Sequence, residues 1–329
     1  MNTVKFWLNN ARKTALPQSV LPAVLAACMA SRVETFSLPL AVLSIIGVAA
    51  AHLGMNLFDD YFDYRKKGVD VRIELVNAGF RARLAKCDYI LSGKATVKEL
   101  LTAAVIFCAV AMLAGVTISF WRGSGIYRLI LIAGFLGISY SGSPFRFSYR
   151  GLGELLIGTM FGPLLMVGVY YASCGTLDPA IWIVSIPIGM LVANIIFTHS
   201  IMDYEPDKRI GKMTLAVLLN NRKSMIAVSA LFIYLPYLFI SAGLLGNYLS
   251  FGYTAVFLTL PMAIGLSRLL LQFTGDRKEE TVKPRFWMGP MENWKRIQAA
   301  QIDWFMIRWM LSRNLLSFFC LILIVLSFI

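Results

Sequence analysis

Asn56-Leu57-Phe58-Asp59-Asp60-Tyr61-Phe62-Asp63 closes an apolar run that begins near residue 36, and Asp70 follows shortly after. An apolar run of about 20 residues is what a helix needs to cross a bilayer. The stretch therefore reads as a membrane span whose final turns carry carboxylates. At about 100° per residue, Asn56, Asp59, Asp60, Asp63 and, were the helix to continue, Asp70 share an arc of roughly 100° on one face. Like charges that close repel strongly in a low-dielectric setting, so this helix end is expected to need cations between its carboxylates. A second pair, Asp203 and Asp207, stands one helical turn apart at the end of another apolar run, followed by Lys208, Arg209 and Lys212. Two acidic clusters with basic neighbours point to metal ions gripping a polyphosphate.

Working outward, a chain of 329 residues that is 58% hydrophobic and 15% charged, with a mean hydropathy of +0.68, is not an ordinary soluble domain. Apolar runs near 15–33, 36–57, 98–120, 127–144, 152–173, 179–201, 225–245, 251–272 and 308–329 predict an all-α polytopic bundle of about nine transmembrane helices in one domain covering 1–329. The first run is interrupted by Pro17 and Pro22 and is short enough to pass for a signal peptide; it reads as an uncleaved span because the next follows almost at once.

Of the 31 lysines and arginines, 28 fall on the side of the N-terminus, and only Arg32, Arg122 and Arg128 fall on the other. That bias predicts an integral protein of the cytoplasmic (inner) membrane, with the N-terminus, both acidic clusters and the long loops 58–97, 202–224 and 273–307 forming a cytoplasmic cap. Residues 273–307, with Trp287, Trp294 and Trp304 among basic residues, are expected to form an interfacial helix. The net charge of +13 follows from this topology and from contact with anionic membrane lipid. No basic module interleaved with aromatics argues for nucleic acid. The five cysteines, at 28, 87, 108, 174 and 320, show no close pairing that supports a disulfide framework or a zinc site. No phosphate-loop or dinucleotide fingerprint is present, and Gly134, Gly137, Gly158 and Gly162 read as sites of close helix packing.

The arrangement of acidic clusters on spans two and six resembles the UbiA superfamily of intramembrane prenyltransferases. Within it, Asn56 to Asp70 is most similar to the first motif of the 1,4-dihydroxy-2-naphthoate prenyltransferases of menaquinone synthesis. Tyr149-Arg-Gly-Leu-Gly-Glu154, Phe161-Gly-Pro163 and Tyr170-Tyr171 share that similarity. Asp203-Tyr-Glu-Pro-Asp207, leading into Gly211-Lys-Met-Thr-Leu-Ala-Val217, resembles the second motif. Asp59 stands where the family usually has asparagine, His199-Ser200 where it has a pair of asparagines, and the spacing from Asp63 to Asp70 is one residue longer.

The resemblance implies transfer of an isoprenyl chain from a polyprenyl diphosphate to an aromatic acceptor, with Mg2+ as cofactor. Dihydroxynaphthoate is the leading acceptor; 4-hydroxybenzoate, homogentisate, a haem or a glycerophosphate lipid are alternatives, and a secondary transporter is the competing class. Asp59, Asp60, Asp63, Asp70, Asp203 and Asp207 are the expected metal ligands. Asp63, Asp203 and Tyr140 are the expected catalytic residues, with Tyr61, Tyr149 and Phe161 as further aromatic faces for an allylic cation. Asn56, Arg72, Lys94, Arg146, Tyr149, Glu154, Lys208 and Lys212 are expected to bind substrate, Arg81 is a further phosphate candidate, and Arg146 suits an acceptor carboxylate. His199 and His52 read as hydrogen-bonded helix histidines. Prenyl chain length and oligomeric state are left open.

Overall fold

The computed structural model describes residues 3–65, 87–275 and 282–328; among them the chain is helical, with one isolated bridge between Arg150 and Met213 and no strand. The long apolar helices are α1 (Pro17–Ala30), α2 (Leu38–Arg65), α3 (Val97–Arg122), α4 (Gly125–Ser141), α5 (Gly153–Cys174), α6 (Pro179–Met202), α7 (Arg222–Leu245), α8 (Phe251–Thr274) and α9 (Asp303–Leu326). Seven of these are long and apolar enough to cross a membrane, while α1 and α4 are shorter. The expected count of nine is therefore approximate.

Local chemistry sets the boundaries. Thr96 and Glu99 form a reciprocal capping box that starts α3. Asp178 and Asn221 cap α6 and α7 through their side-chain oxygens, with Pro179 preset for the first helical position. α2 continues through the acidic motif to Arg65, so Asn56, Asp59, Asp60 and Asp63 share its last turns.

α6 is the centre of the bundle: 67% of its apolar window is buried, against 22% for α3 at the periphery. It meets α5 where Gly158 and Gly162 face Gly189, and a Cβ on Gly158 would lie 2.7 Å from the Gly189 carbonyl oxygen. Backbones this close are how membrane helices gain contact where lipid offers no hydrophobic drive. Gly137 packs against the Met55 sulfur, whereas Gly134 has nothing within 4 Å and is a cavity-wall residue instead. The main core gathers α1 and α5 to α9, and a smaller one joins α2 and α3 to the N-terminal helix Thr3–Asn10 and the short helix Asp88–Leu91.

The segment expected to be an interfacial helix is broken. Its described part consists of a turn at Phe286–Met288 and a short helix at Trp294–Ala299. Asn314 on α9 donates to the carbonyls of Met288 and Pro290 at 2.9 Å each, and the Trp287 ring fills the space over Gly265. A backbone satisfied by a buried asparagine has no need to be helical.

Candidate active site

α2, α3, α4 and α5 enclose a cavity of about 700 Å³. On α2 its wall runs from Ser44 to Phe62, and the helix rises about 22 Å from Ser44 to Asp59. Small residues line its apolar part, among them Gly47, Ala51, Ala111, Gly134 and Gly168. At the other end Asp59 and Asp60 from α2 share the wall with Glu154 from α5, Asp207 from the short helix Tyr204–Arg209, and Lys212. The two acidic clusters thus open onto one space.

The first cation at the α2 acids is the protein's own. The Arg12 guanidinium pairs with Asp60 and lies 3.4 Å from Asp59. The N-terminal helix delivers it: Phe6 and Trp7 pack edge-on against Tyr89, and Asn56 donates to the Ala11 carbonyl at 3.0 Å. Burial works against the charge on Arg12, but Asp60, Asp59 and Asp63 outweigh it and raise its pKa above the ordinary arginine value. Tyr89 donates to Asp60 at 3.1 Å, and burial followed by the negative charge of Asp60 raises its hydroxyl pKa, so it remains a donor. Ser141 donates to Asp59 at 2.6 Å.

Asp63 accepts a 2.8 Å hydrogen bond from Tyr149, and the Lys212 ammonium stands 5.6 Å from the centre of that same ring. Tyr149 therefore links the first cluster to the loop that follows the second. Glu154 fixes that loop, accepting from Ser200 at 2.6 Å and from the Leu215 amide at 3.2 Å. Asp203 is fully buried, with Oδ2 3.5 Å from His199 Nδ1. His199 lines the cavity, whereas Asp63, Asp203 and Tyr149 stand behind its wall.

Tyr140 and Phe161 present rings to the cavity; Tyr61 turns instead toward Arg65. Lys94 is exposed and off the cavity, as is Lys208, which donates to Tyr204 and Asn220. Arg146 is half-buried in a left-handed conformation outside the wall. Asp70, Arg72 and Arg81 lie outside the described residues. Sequence reasoning missed Arg12, Tyr89 and Ser141. Arg12 carried a faint signal as one of three basic residues before the first span, but topology alone accounts for such residues.

The donor chemistry fits magnesium, which takes hard oxygen ligands and keeps few of them from protein when phosphate and water complete its shell. Asp60 and Asp207 are each only 2% exposed, so their carboxylates need positive partners. Among the described residues no three His, Cys, Asp or Glu side chains form a metal-binding group by themselves.

A profile described as the UbiA prenyltransferase family matches residues 19–289. The chain is 26% identical over 221 residues to a 1,4-dihydroxy-2-naphthoate octaprenyltransferase of Bacillus subtilis, covering 67% of this chain and 68% of that one. It is 27% identical over 292 residues to a 2-carboxy-1,4-naphthoquinone phytyltransferase of Synechocystis, covering 86% and 88%. A solved UbiA homolog from Archaeoglobus fulgidus, bound to GPP and Mg2+, superimposes with a TM-score of 0.55 at 17% identity over 97% of this chain and 99% of that one, a likeness of fold.

Proposed function

The chain belongs to the UbiA prenyltransferase family, and on that premise we propose that it transfers a prenyl group from a polyprenyl diphosphate to 1,4-dihydroxy-2-naphthoate, with loss of the carboxylate as carbon dioxide to give a demethylmenaquinol, the reduced form of a demethylmenaquinone. The observation that carries the reading is the single cavity with carboxylates of both acidic clusters at one end and apolar walls over the rest. A diphosphate with a hydrocarbon tail has the same two-ended chemistry. The names of the naphthoate-prenylating relatives favour the acceptor.

Asp59 and Asp60 from one side and Asp207 from the other, the aspartates that line the cavity, would hold Mg2+, while Asp63 and Asp203, expected as ligands, stand one turn away behind the wall and add negative charge to the same two clusters. When bound, that ion supplies positive charge to the departing diphosphate. Lys212, at the same end of the cavity, adds a direct donor to phosphate oxygens. Tyr140 and Phe161 offer aromatic faces to the positive charge that develops on the allylic carbon. The apolar walls exclude the water that would otherwise capture it. Glu154 positions Lys212 by tying the 211–217 loop to α5 and α6. The active-site end faces the cytoplasm in this reading, on the side where the lysines and arginines concentrate. The transporter class is disfavoured because the acids gather at one end of the helices, where coupling-ion sites lie near the midplane.

Purified protein given a polyprenyl diphosphate, Mg2+ and dihydroxynaphthoate is expected to release pyrophosphate and carbon dioxide in equal amounts. Turnover on 4-hydroxybenzoate, homogentisate, a haem or a glycerophosphate lipid, with none on dihydroxynaphthoate, would retain the family chemistry and refute this acceptor.

A further inference from the structure

Midway along the cavity wall, one turn before Asn56 on α2, stands His52, which is 9% exposed and borders the cavity. Its Nδ1 lies 2.7 Å from Ser19 Oγ on α1, and the Leu16 carbonyl is a second partner for that hydroxyl at 3.1 Å. When the hydroxyl hydrogen goes to Leu16, Ser19 accepts from the imidazole, Nδ1 carries the ring proton and Nε2 carries a lone pair. The Phe161 ring meets the imidazole edge-on at 5.0 Å and holds its plane. Nε2 has no hydrogen-bond partner among the described residues, and it is absent from the fully enclosed polar atoms that lack one. Nε2 therefore faces the cavity, between the acidic end and the apolar end.

We infer that Ser19, as a positioning residue, holds His52 in the tautomer with the proton on Nδ1, and that His52 Nε2 accepts a hydrogen bond from a ring hydroxyl of the aromatic acceptor. This rests on the prenyl-transfer reading and deepens it, because it selects acceptors by a hydroxyl donor rather than by size alone. A buried acceptor atom left unmatched costs binding free energy, so an acceptor with the hydroxyl blocked is penalised. A histidine that serves only packing gives no such discrimination.

The test compares turnover of dihydroxynaphthoate with that of its two mono-O-methyl ethers, using the full chain, a polyprenyl diphosphate and Mg2+. Wild type is expected to prefer the free hydroxyl at one ring position by about 10- to 100-fold in kcat/KM. His52→Leu should bring that ratio close to one, with the KM for prenyl diphosphate unchanged. His52→Gln, which retains an acceptor oxygen, should keep part of the preference, and Ser19→Ala should lower it while removing only a hydroxyl. If His52→Leu does not fold, His52→Gln and Ser19→Ala carry the decision. Equal loss on all three acceptors, with the ratio intact, would overturn the inference and leave the prenyl-transfer reading standing. Failure of wild type to turn over any hydroxylated aromatic would refute both.

Discussion

Asp60→Asn and Asp207→Asn are each expected to lower prenyl transfer by on the order of 10³-fold, the loss seen when one preorganised charge-stabilising group is removed. Both substitutions keep the side-chain volume, remove the negative charge and turn one acceptor oxygen into an amide donor. The two residues come from separate helices but face one cavity, and each is almost fully buried. If both act on the same diphosphate, the double variant should be little worse than either single one, because parts of one unit do not contribute additively. Lys94→Ala and Lys208→Ala supply the contrast. Their side chains lie off the cavity, so turnover should stay near wild type. Steady-state rates of pyrophosphate release decide the matter; full activity in Asp207→Asn would remove the second cluster from the chemistry.

Arg12→Ala is expected to destabilise the magnesium-free protein and to enlarge its response to the metal. Removing one member of a fully buried ion pair costs about 3–5 kcal/mol because the other is left uncompensated. Asp60 is buried to that degree, but the Arg12 side chain is 38% exposed and Tyr89 still donates to the carboxylate, so about 1–3 kcal/mol is the appropriate range. On the proposed account, Arg12 and a divalent cation compete for Asp59 and Asp60 in wild type. Without the guanidinium, Mg2+ should raise Tm by more than it does in wild type. An equal rise in both proteins, measured by thermal unfolding in matched detergent, would show that Arg12 and the metal do not share these oxygens.

The membrane architecture was legible because hydropathy records burial in lipid directly. The ends of α3, α5 and α6 fall within two residues of the apolar runs that announced them. What hydropathy could not convey was length at the margins: α1 and α4 have 14 and 17 residues and are shorter than the other seven. Nor did it indicate that 282–299 is pinned by Asn314, since one polar residue on α9 does the pinning. The acidic motifs were legible because carboxylates at apolar helix ends are costly and rarely incidental. Basic residues were the weak point. Positive-inside placement puts lysine and arginine in the same loops whether or not they touch ligand. Hence Lys94 and Lys208 were expected in the site and lie outside it, whereas Arg12 read as leader and sits among the acids. Asn56 was expected to bind substrate; it does line the cavity, and one N–H of its amide also donates to the Ala11 carbonyl next to Arg12. Such long-range pairs join residues more than 40 positions apart, a distance over which no local periodicity carries information.

The central claim is that carboxylates of both clusters jointly bind one lipid diphosphate through divalent cations, and equilibrium binding of an unreactive thiolodiphosphate analogue of a polyprenyl diphosphate tests it most directly. Wild type should bind the analogue with Mg2+ and lose most of that affinity in EDTA, and Asp60→Asn and Asp207→Asn should each abolish the magnesium-dependent part. Affinity that is indifferent to Mg2+, or that survives intact when either carboxylate is neutralised, would contradict the account.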